Sequence, residues 1–244
     1  MSNTWVVVNA ENSNQTGAIL EFLLEEFCRI FGSDVMMNER CVVFNDPKSD
    51  CPRFNHSVPL CIRLHQSRLT LWSQTIFQLS HEMCHYAMHQ TKANRDITLS
   101  WFEEIVCEAI SLYALEYASK EWCKCELSRL DPNFFEAHKD YLDKELSTSF
   151  TYEFRNSDSL QKLVEYEAQA LPENRRESHV YERNAVYRAI SDNPLELRCV
   201  LDYTKYIEDN GITIDFKRWI QDNPCNLLKK IEEIYPIKVE HCHH

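Results

Sequence analysis

The sequence has no long apolar run, no excess of basic residues, and no repeated or low-complexity segment. No stretch of the 244 residues approaches the length of a membrane span, and the segment Met1–Val8 lacks the basic start and the apolar length of a secretory signal. Acidic side chains outnumber basic ones by 38 to 26, which gives a formal net charge of −12. Because nucleic acids and anionic membranes attract basic surfaces, we expect neither as a partner.

Cysteine is abundant, with eleven residues in the chain. An odd number of cysteines without a signal segment indicates a reducing compartment, so we expect a cytoplasmic protein with free thiols. The pair Cys123 and Cys125 has no second pair at the spacing that a structural zinc site requires. Ordinary thiols are therefore the favoured interpretation of this pair over a metal or redox site.

The segment Gln78–His89 contains the pattern His-Glu-x-x-His and is expected to be helical. His81 and His85 are four residues apart, so a helix places both imidazoles on one face, where they can bind one metal ion. Zinc is the metal ion that such a pair typically binds. Glu82 follows the first histidine and is predicted to act as the general base that takes a proton from a water molecule activated by the metal.

A third ligand is predicted on the next helix. Glu104 follows His85 after eighteen intervening residues. Two histidines and one carboxylate leave a fourth position open, which is the arrangement of a catalytic rather than a structural zinc site. Glu108 lies one turn beyond Glu104 on the same face, and we expect it to orient His81 or His85.

These motifs resemble those of the gluzincin metallopeptidases, in which His-Glu-x-x-His and a glutamate on a following helix bind zinc. Trp101–Glu104 is similar to the Trp-Leu-Asn-Glu segment of the aminopeptidase branch, and the pair Glu104 and Glu108 is similar to the Glu-x-x-x-Asp pair of thermolysin. Ser73–His89 also resembles the compact ImmA/IrrE metallopeptidases, whose downstream signature Glu-x-x-Ala-Asn-x-Phe-Ala aligns with residues 104–111. Cysteine and glutamate replace the alanine and asparagine of that signature. The resemblance covers Leu69–Leu115 and implies zinc-dependent hydrolysis of a peptide or protein substrate.

The expected fold class is α+β and predominantly helical. We predict a small N-terminal mixed sheet packed on the motif helix, followed by a helical C-terminal lobe in a zincin-like arrangement, with residues 1–120 as the catalytic core, residues 121–244 as the lobe and a cleft between them. Predicted strands span residues 5–9, 41–44, 60–64 and 212–216. Predicted helices span 16–31, from about 71 through the motif, 100–117, 132–146, 160–170, 173–190, 194–208 and 226–234.

Two local expectations bear on the site. By resemblance, the strand at Cys61–His65 is the candidate sheet edge that pairs with an extended substrate, with an ordinary structural strand as the equal alternative. Ser100 and Glu103 form the pattern of a capping box, which would set where the glutamate helix begins.

Attack on a peptide carbonyl also requires a donor for the developing negative charge. The segment Glu177–Arg183 offers His179, which falls where a thermolysin-like donor histidine would lie, and Tyr181. The alternative for either residue is an ordinary packed or solvated side chain.

Three functions are therefore compatible with the sequence. The favoured one is a cytoplasmic zinc metallopeptidase. The second is a metal-binding regulatory or interaction protein that uses the same scaffold without constitutive proteolysis, and the third is an ordinary helical protein with an accidental motif. Glu82 favours an enzyme, because a structural zinc site gains nothing from a carboxylate beside its ligands.

Overall fold

The computed structural model describes residues 4–8, 13–68, 70–95, 97–148 and 180–234. Its architecture is α+β, with a small mixed sheet near the N-terminus and helices through most of the remaining described chain. This confirms the predicted fold class at that level. Among the described helices, none combines the length and the apolar character that a membrane crossing requires.

The sheet has four strands: β1 (Trp5–Val7), β2 (Cys41–Asn45), β3 (Arg53–Asn55) and β4 (Leu60–Leu64). Their order is β1-β2-β4-β3, with β1, β2 and β4 parallel and β3 antiparallel to β4. Alternate residues of β2 and β4 are buried, as expected for strands that pack one face on a core. The sheet is thus mixed, as the sequence predicted.

The edge of the sheet differs from the prediction. Cys61–His65 is not an edge segment, because β4 pairs with β2 on one side and with β3 on the other. Arg53–Asn55 (β3) forms the edge beside β4, and β1 forms the other edge of the sheet. Strand β3 was not predicted from the sequence because it is only three residues long and follows Pro52 in a turn-rich stretch.

The first helix, α1, spans Ser13–Phe31, and the short α2 spans Ser33–Met36. Gly32 separates them with φ +96, a left-handed conformation that glycine adopts without steric cost. The predicted end of this helix at residue 31 is therefore confirmed.

The two helices that carry the predicted ligands are α3 (Trp72–Thr91) and α4 (Ser100–Glu121), and they pack against each other. The N-cap of α4 is Leu99, and no side chain caps this end. The expected capping box of Ser100 and Glu103 is therefore wrong. Glu103 points into the interior, where it has other partners.

The described chain beyond α4 is largely helical. It comprises 3-10 turns at Trp122–Lys124 and Glu126–Arg129, α5 (Phe135–Leu146), α6 (Val180–Asp192), a run of 3-10 turns at Pro194–Tyr206, α7 (Phe216–Asp222) and α8 (Asn226–Ile234). The predicted helix 160–170 lies outside the described residues, as does the start of the one predicted at 173–190. The strand predicted at 212–216 is wrong: Ile214 forms one isolated bridge with Ile207, and Phe216 begins α7.

One hydrophobic core cluster joins α1, the inner face of the sheet, α3, α4 and the described C-terminal helices. Trp101 and Trp219 are among its largest fully buried side chains. Because interiors of this kind are densely packed, the core holds α3 and α4 in a fixed relation. The boundary predicted at residue 120 stays a prediction.

Candidate metal centre

Three side chains from α3 and α4 meet at one point. His81 Nε2 lies 3.2 Å from His85 Nε2, and the Glu104 carboxylate lies 3.3 Å from the first nitrogen and 3.5 Å from the second. These three residues offer one ligand atom each within 4.8 Å of one another and could hold a metal ion. The structure thus brings together the three ligands that the sequence predicted.

The helical geometry explains this convergence. His81 and His85 are separated by about one turn of α3, which places their rings edge to face, with centroids 4.9 Å apart and an interplanar angle of 63°. The packing of α4 along α3 brings Glu104 opposite both rings. His81 is only 3% exposed, whereas the Glu104 side chain is 29% exposed and borders open space.

Glu103 contacts His85 on the side of the imidazole that does not face Glu104. Its Oε2 lies 3.3 Å from His85 Nδ1, the ring nitrogen that faces away from Glu104. Its Oε1 lies 2.5 Å from Lys92 Nζ and accepts a hydrogen bond from the Tyr203 hydroxyl. A carboxylate in this position fixes the orientation of a metal-binding imidazole and increases its basicity.

The charges of the cluster favour ionised carboxylates. Burial alone would raise the pKa of Glu104, but hydrogen bonds from His81 and His85 outweigh it and hold the pKa well below its usual value. Burial likewise opposes ionisation of Glu103, and its partners His85 and Lys92 lower its pKa. In His85, burial acts to lower the pKa, but Glu103 and Glu104 raise it well above the usual value.

The cluster lies at the wall of a cavity of about 670 Å³. Glu82 lines this cavity together with all three candidate ligands and is 3% exposed. The edge strand contributes Arg53 and Phe54 to the same wall. A buried carboxylate, a potential metal site and two residues of the edge strand β3 therefore surround one cavity.

Glu108 has a different environment from the one expected. Its Oε2 lies 3.8 Å from Arg183 Nη1, and both side chains are buried. His81 Nδ1 has no hydrogen-bond partner among the described residues, and His85 Nδ1 faces Glu103. The expected contact of Glu108 with His81 or His85 is therefore not found: Glu103, one residue before the candidate ligand Glu104, is the carboxylate of α4 that contacts His85.

The two predicted donor residues have separate outcomes. His179 lies outside the described residues. Tyr181 is half-buried, packs against the hydrophobic core and is not among the described residues that line the cavity. A donor role for either stays a prediction.

Glu103 and Tyr203 were not predicted as site residues. An acidic residue directly before a candidate ligand was the available signal for Glu103, but the helix-capping pattern offered a local explanation for it. Tyr203 lies 100 positions from Glu103, and no local pattern relates the two.

No family model matches the chain, and neither a curated protein nor a solved structure matches it.

Proposed function

We propose that this protein is a zinc-dependent metallopeptidase of the gluzincin type. The observation that carries the proposal is the convergence of His81, His85 and Glu104 in a cavity that Glu82 also lines. Two histidines and one carboxylate are the protein ligands of a catalytic zinc site, which keeps one position open.

The spacing of the ligand atoms supports zinc. Zinc binds imidazole nitrogen and carboxylate oxygen at about 2.0–2.1 Å with tetrahedral geometry, so two ligand atoms of an ideal site lie about 3.3–3.4 Å apart. The two Nε2 atoms here are 3.2 Å apart, and each lies near a different oxygen of Glu104: His81 Nε2 is 3.3 Å from Oε2, and His85 Nε2 is 3.5 Å from Oε1. The two imidazoles therefore have the separation of zinc ligands, and the carboxylate presents one oxygen to each of them.

The zinc ion, Glu82 and Glu103 have separate roles in the proposed reaction. A bound zinc ion supplies a Lewis acid that polarises the scissile carbonyl. Glu82 takes a proton from the attacking water and returns it to the leaving amine. Glu103 holds the imidazole of His85 in the orientation that directs Nε2 toward the ligand cluster.

The substrate is proposed to bind in extended form along β3. This strand is the outermost strand of the described sheet on the side of the cavity, and Arg53 and Phe54 line the cavity wall. An extended peptide can add to such an edge through main-chain hydrogen bonds. This assigns the substrate-pairing role to Arg53–Asn55, in place of Cys61–His65.

The test combines metal analysis with hydrolysis. After removal of metal by a chelator and reconstitution with zinc, the wild type should hold one zinc per chain and cleave a mixed fluorogenic peptide library. Glu82→Gln should keep the zinc and lose hydrolysis by about 100-fold or more, because only the general base is removed. His85→Ala and Glu104→Ala should lose the zinc.

Glu121→Gln is the matched control, because it makes the same chemical change on a partly exposed side chain at the end of α4 that is not among the described residues lining the cavity. Full activity of Glu82→Gln on a verified substrate would refute the general-base role. A zinc site present in the wild type without hydrolysis of any library member would favour the metal-binding regulatory protein instead.

A further inference from the structure

His89 is a buried histidine in the wall of the metal-site cavity, and one of its ring nitrogens is unpaired. It follows His85 by one turn of α3 and is only 4% exposed. Its Nε2 atom is buried and has no hydrogen-bond partner among the described residues. Because an unpaired polar atom in a protein interior is costly, this nitrogen in a cavity wall points to a ligand that completes its hydrogen bond.

The ring of His89 packs against the edge strand of the sheet. Its centroid lies 5.5 Å from that of Phe54 on β3, with the two rings edge to face. Phe54 lines the same cavity. An apolar ring beside an unpaired nitrogen suits a ligand side chain with an aliphatic stem and a polar end.

Arg95 brings positive charge to this part of the cavity. Its guanidinium forms an ion pair with Glu39, but Arg95 lines the cavity and Glu39 is not among the described residues that do so. The charge of Lys92 is balanced differently, because its partner Glu103 also lines the cavity. Arg95 is therefore a cation whose counter-charge lies outside the cavity wall.

The charges of this region act on His89. Burial lowers its pKa to about 4, and the positive charges of Arg95 and Lys92 contribute in the same direction. Glu39 acts in the opposite direction and more weakly than either cation. His89 is thus neutral at pH 7 and has one N–H group to donate. Surroundings that disfavour a positive charge on the ring favour a negative charge beside it.

We propose that His89, Phe54 and Arg95 form a subsite for an acidic side chain of the peptide substrate, which we call the carboxylate subsite. The proposal rests on the peptidase function proposed above. The substrate carboxylate accepts a hydrogen bond from Nε2–H of His89 and is attracted by Arg95, while its aliphatic stem packs on Phe54. A glutamate in the substrate thus supplies the partner that Nε2 lacks among the described residues.

The position of the carboxylate subsite relates it to the cleaved bond. One turn of four residues along an α-helix advances by about 6 Å, which separates His89 from the candidate ligand His85 along α3. An extended peptide advances by about 3.3 Å per residue. The subsite should therefore accept a side chain within about two residues of the bond that is cleaved.

The first test measures binding without hydrolysis. Metal-free wild-type protein with nitrogen-15-labelled histidines is titrated at pH 7, in the presence of a chelator, with two blocked nonapeptides of serine and alanine. The peptides differ only in a central glutamate or glutamine, and their uniform flanks let this side chain reach the subsite in several registers. We expect the glutamate peptide to bind about 10-fold more tightly and to shift the ring-nitrogen signals of His89, because the hydrogen bond to its carboxylate is charge-assisted.

The second test uses the zinc-loaded wild type and the same two peptides. The glutamate peptide should have a kcat/KM about 10-fold higher, with the cut within two residues of the glutamate. Hydrolysis of both peptides at equal rates would overturn the carboxylate subsite and leave the peptidase function standing. A glutamate preference in binding without any hydrolysis would support the subsite and refute the peptidase function.

Variants at His89 and Arg95 test the two polar contacts. His89→Leu should reduce the binding preference for glutamate to about 2-fold or less, whereas His89→Gln keeps an N–H group near the position of Nε2 and should retain most of it. Arg95→Met should also reduce the preference, because it removes the cation and leaves Glu39 unpaired. Glu39→Gln should increase it. The Arg95 side chain is 42% exposed, so its replacement tests the subsite even if His89→Leu does not fold.

His65 and Arg53 provide the controls within the same cavity. His65 also lines the cavity with a buried Nδ1 that has no partner among the described residues, but it contacts Gln78, on the other side of the candidate ligands along α3. His65→Leu should therefore keep the glutamate preference. Arg53 lines the cavity without an ion pair to any described residue. The proposal is overturned if Arg53→Gln loses the preference while His89→Leu retains it, or if His89→Leu binds the two peptides as the wild type does.

Discussion

The Oε2 atom of Glu103 lies 3.3 Å from Nδ1 of His85, on the side of the imidazole opposite to the nitrogen that faces Glu104. His85 is therefore held between two carboxylates on adjacent positions of one helix. Glu104 is a candidate metal ligand, and Glu103 holds the orientation of the ring through its contact with Nδ1.

Glu103→Gln should weaken zinc binding by about 10- to 100-fold, because the amide no longer provides a charged acceptor for His85 Nδ1. The measurement is a competition titration against a chromogenic zinc chelator. Tyr203→Phe should have a smaller effect in the same direction, since it removes one hydrogen bond to Glu103 and leaves its ion pair with Lys92. An unchanged zinc affinity in Glu103→Gln would contradict the orienting role.

Gly32→Ala should destabilise the protein by about 1–2 kcal/mol, because φ is +96 at this position and an alanine disfavours the left-handed region. The added methyl group would also crowd the side chains of Asp34 and Arg198. Gly17→Ala is the matched comparison. Gly17 lies inside α1 with no atom within 4 Å of an added Cβ, so this change should stabilise the helix by about 0.5–1 kcal/mol. Urea unfolding of both variants tests the opposite signs.

His138 should make the stability sensitive to acid. Burial lowers its pKa to about 4, and Nδ1 lies 2.9 Å from the Ser73 hydroxyl oxygen. In the unfolded chain a histidine takes up its proton near pH 6.5, so the stabilising effect is present above that pH and is lost as the pH falls toward 4. The expected contribution to the loss of unfolding free energy between pH 7 and pH 5 is about 2 kcal/mol.

Urea unfolding at the two pH values checks this prediction with His138→Gln, which keeps a polar partner for Ser73 and does not titrate. This variant should lose about 2 kcal/mol less than the wild type on acidification. Equal acid sensitivity of the wild type and His138→Gln would show that other groups cause it.

Leu79→Ala should destabilise the protein by about 2–5 kcal/mol, because Leu79 is fully buried on α3 and its truncation leaves a cavity. Leu130 is 70% exposed, and Leu130→Ala should change the unfolding free energy by less than about 0.5 kcal/mol. Thermal unfolding of the two variants in parallel gives the comparison. Similar losses in both would mean that Leu79 is not part of a close-packed core.

The local sequence was sufficient to predict which three side chains converge as candidate metal ligands. The convergence of His81, His85 and Glu104 was predicted from helical spacing and from the order of two helices. Both signals lie within a stretch of about two dozen residues. Strand β4 and helix α8 were predicted with their observed bounds because their apolar patterns and flanking turns are local.

The predictions failed where contacts with residues far away in the sequence determine the local structure. Ser100 and Glu103 fit a capping box by spacing, yet Glu103 is drawn inward by His85, Lys92 and Tyr203, and the last of these lies far along the chain. The edge strand Arg53–Asn55 was missed because three residues after a proline carry too little pattern to indicate a strand, and pairing with β4 establishes it.

The contact between Tyr203 and Glu103 can form only late in synthesis of the chain, because Tyr203 is synthesised well after the candidate metal ligands. A nascent chain that has emerged as far as Glu121 already contains every candidate metal ligand, because all three belong to α3 and α4. It does not yet contain Tyr203 or the carbonyl of Leu201, which accepts a hydrogen bond from Thr91 at the end of α3 at 2.9 Å. The helices that carry the candidate ligands thus leave the ribosome before the segment that contains Leu201 and Tyr203, so the contacts that support the candidate centre can form only after that segment has been synthesised.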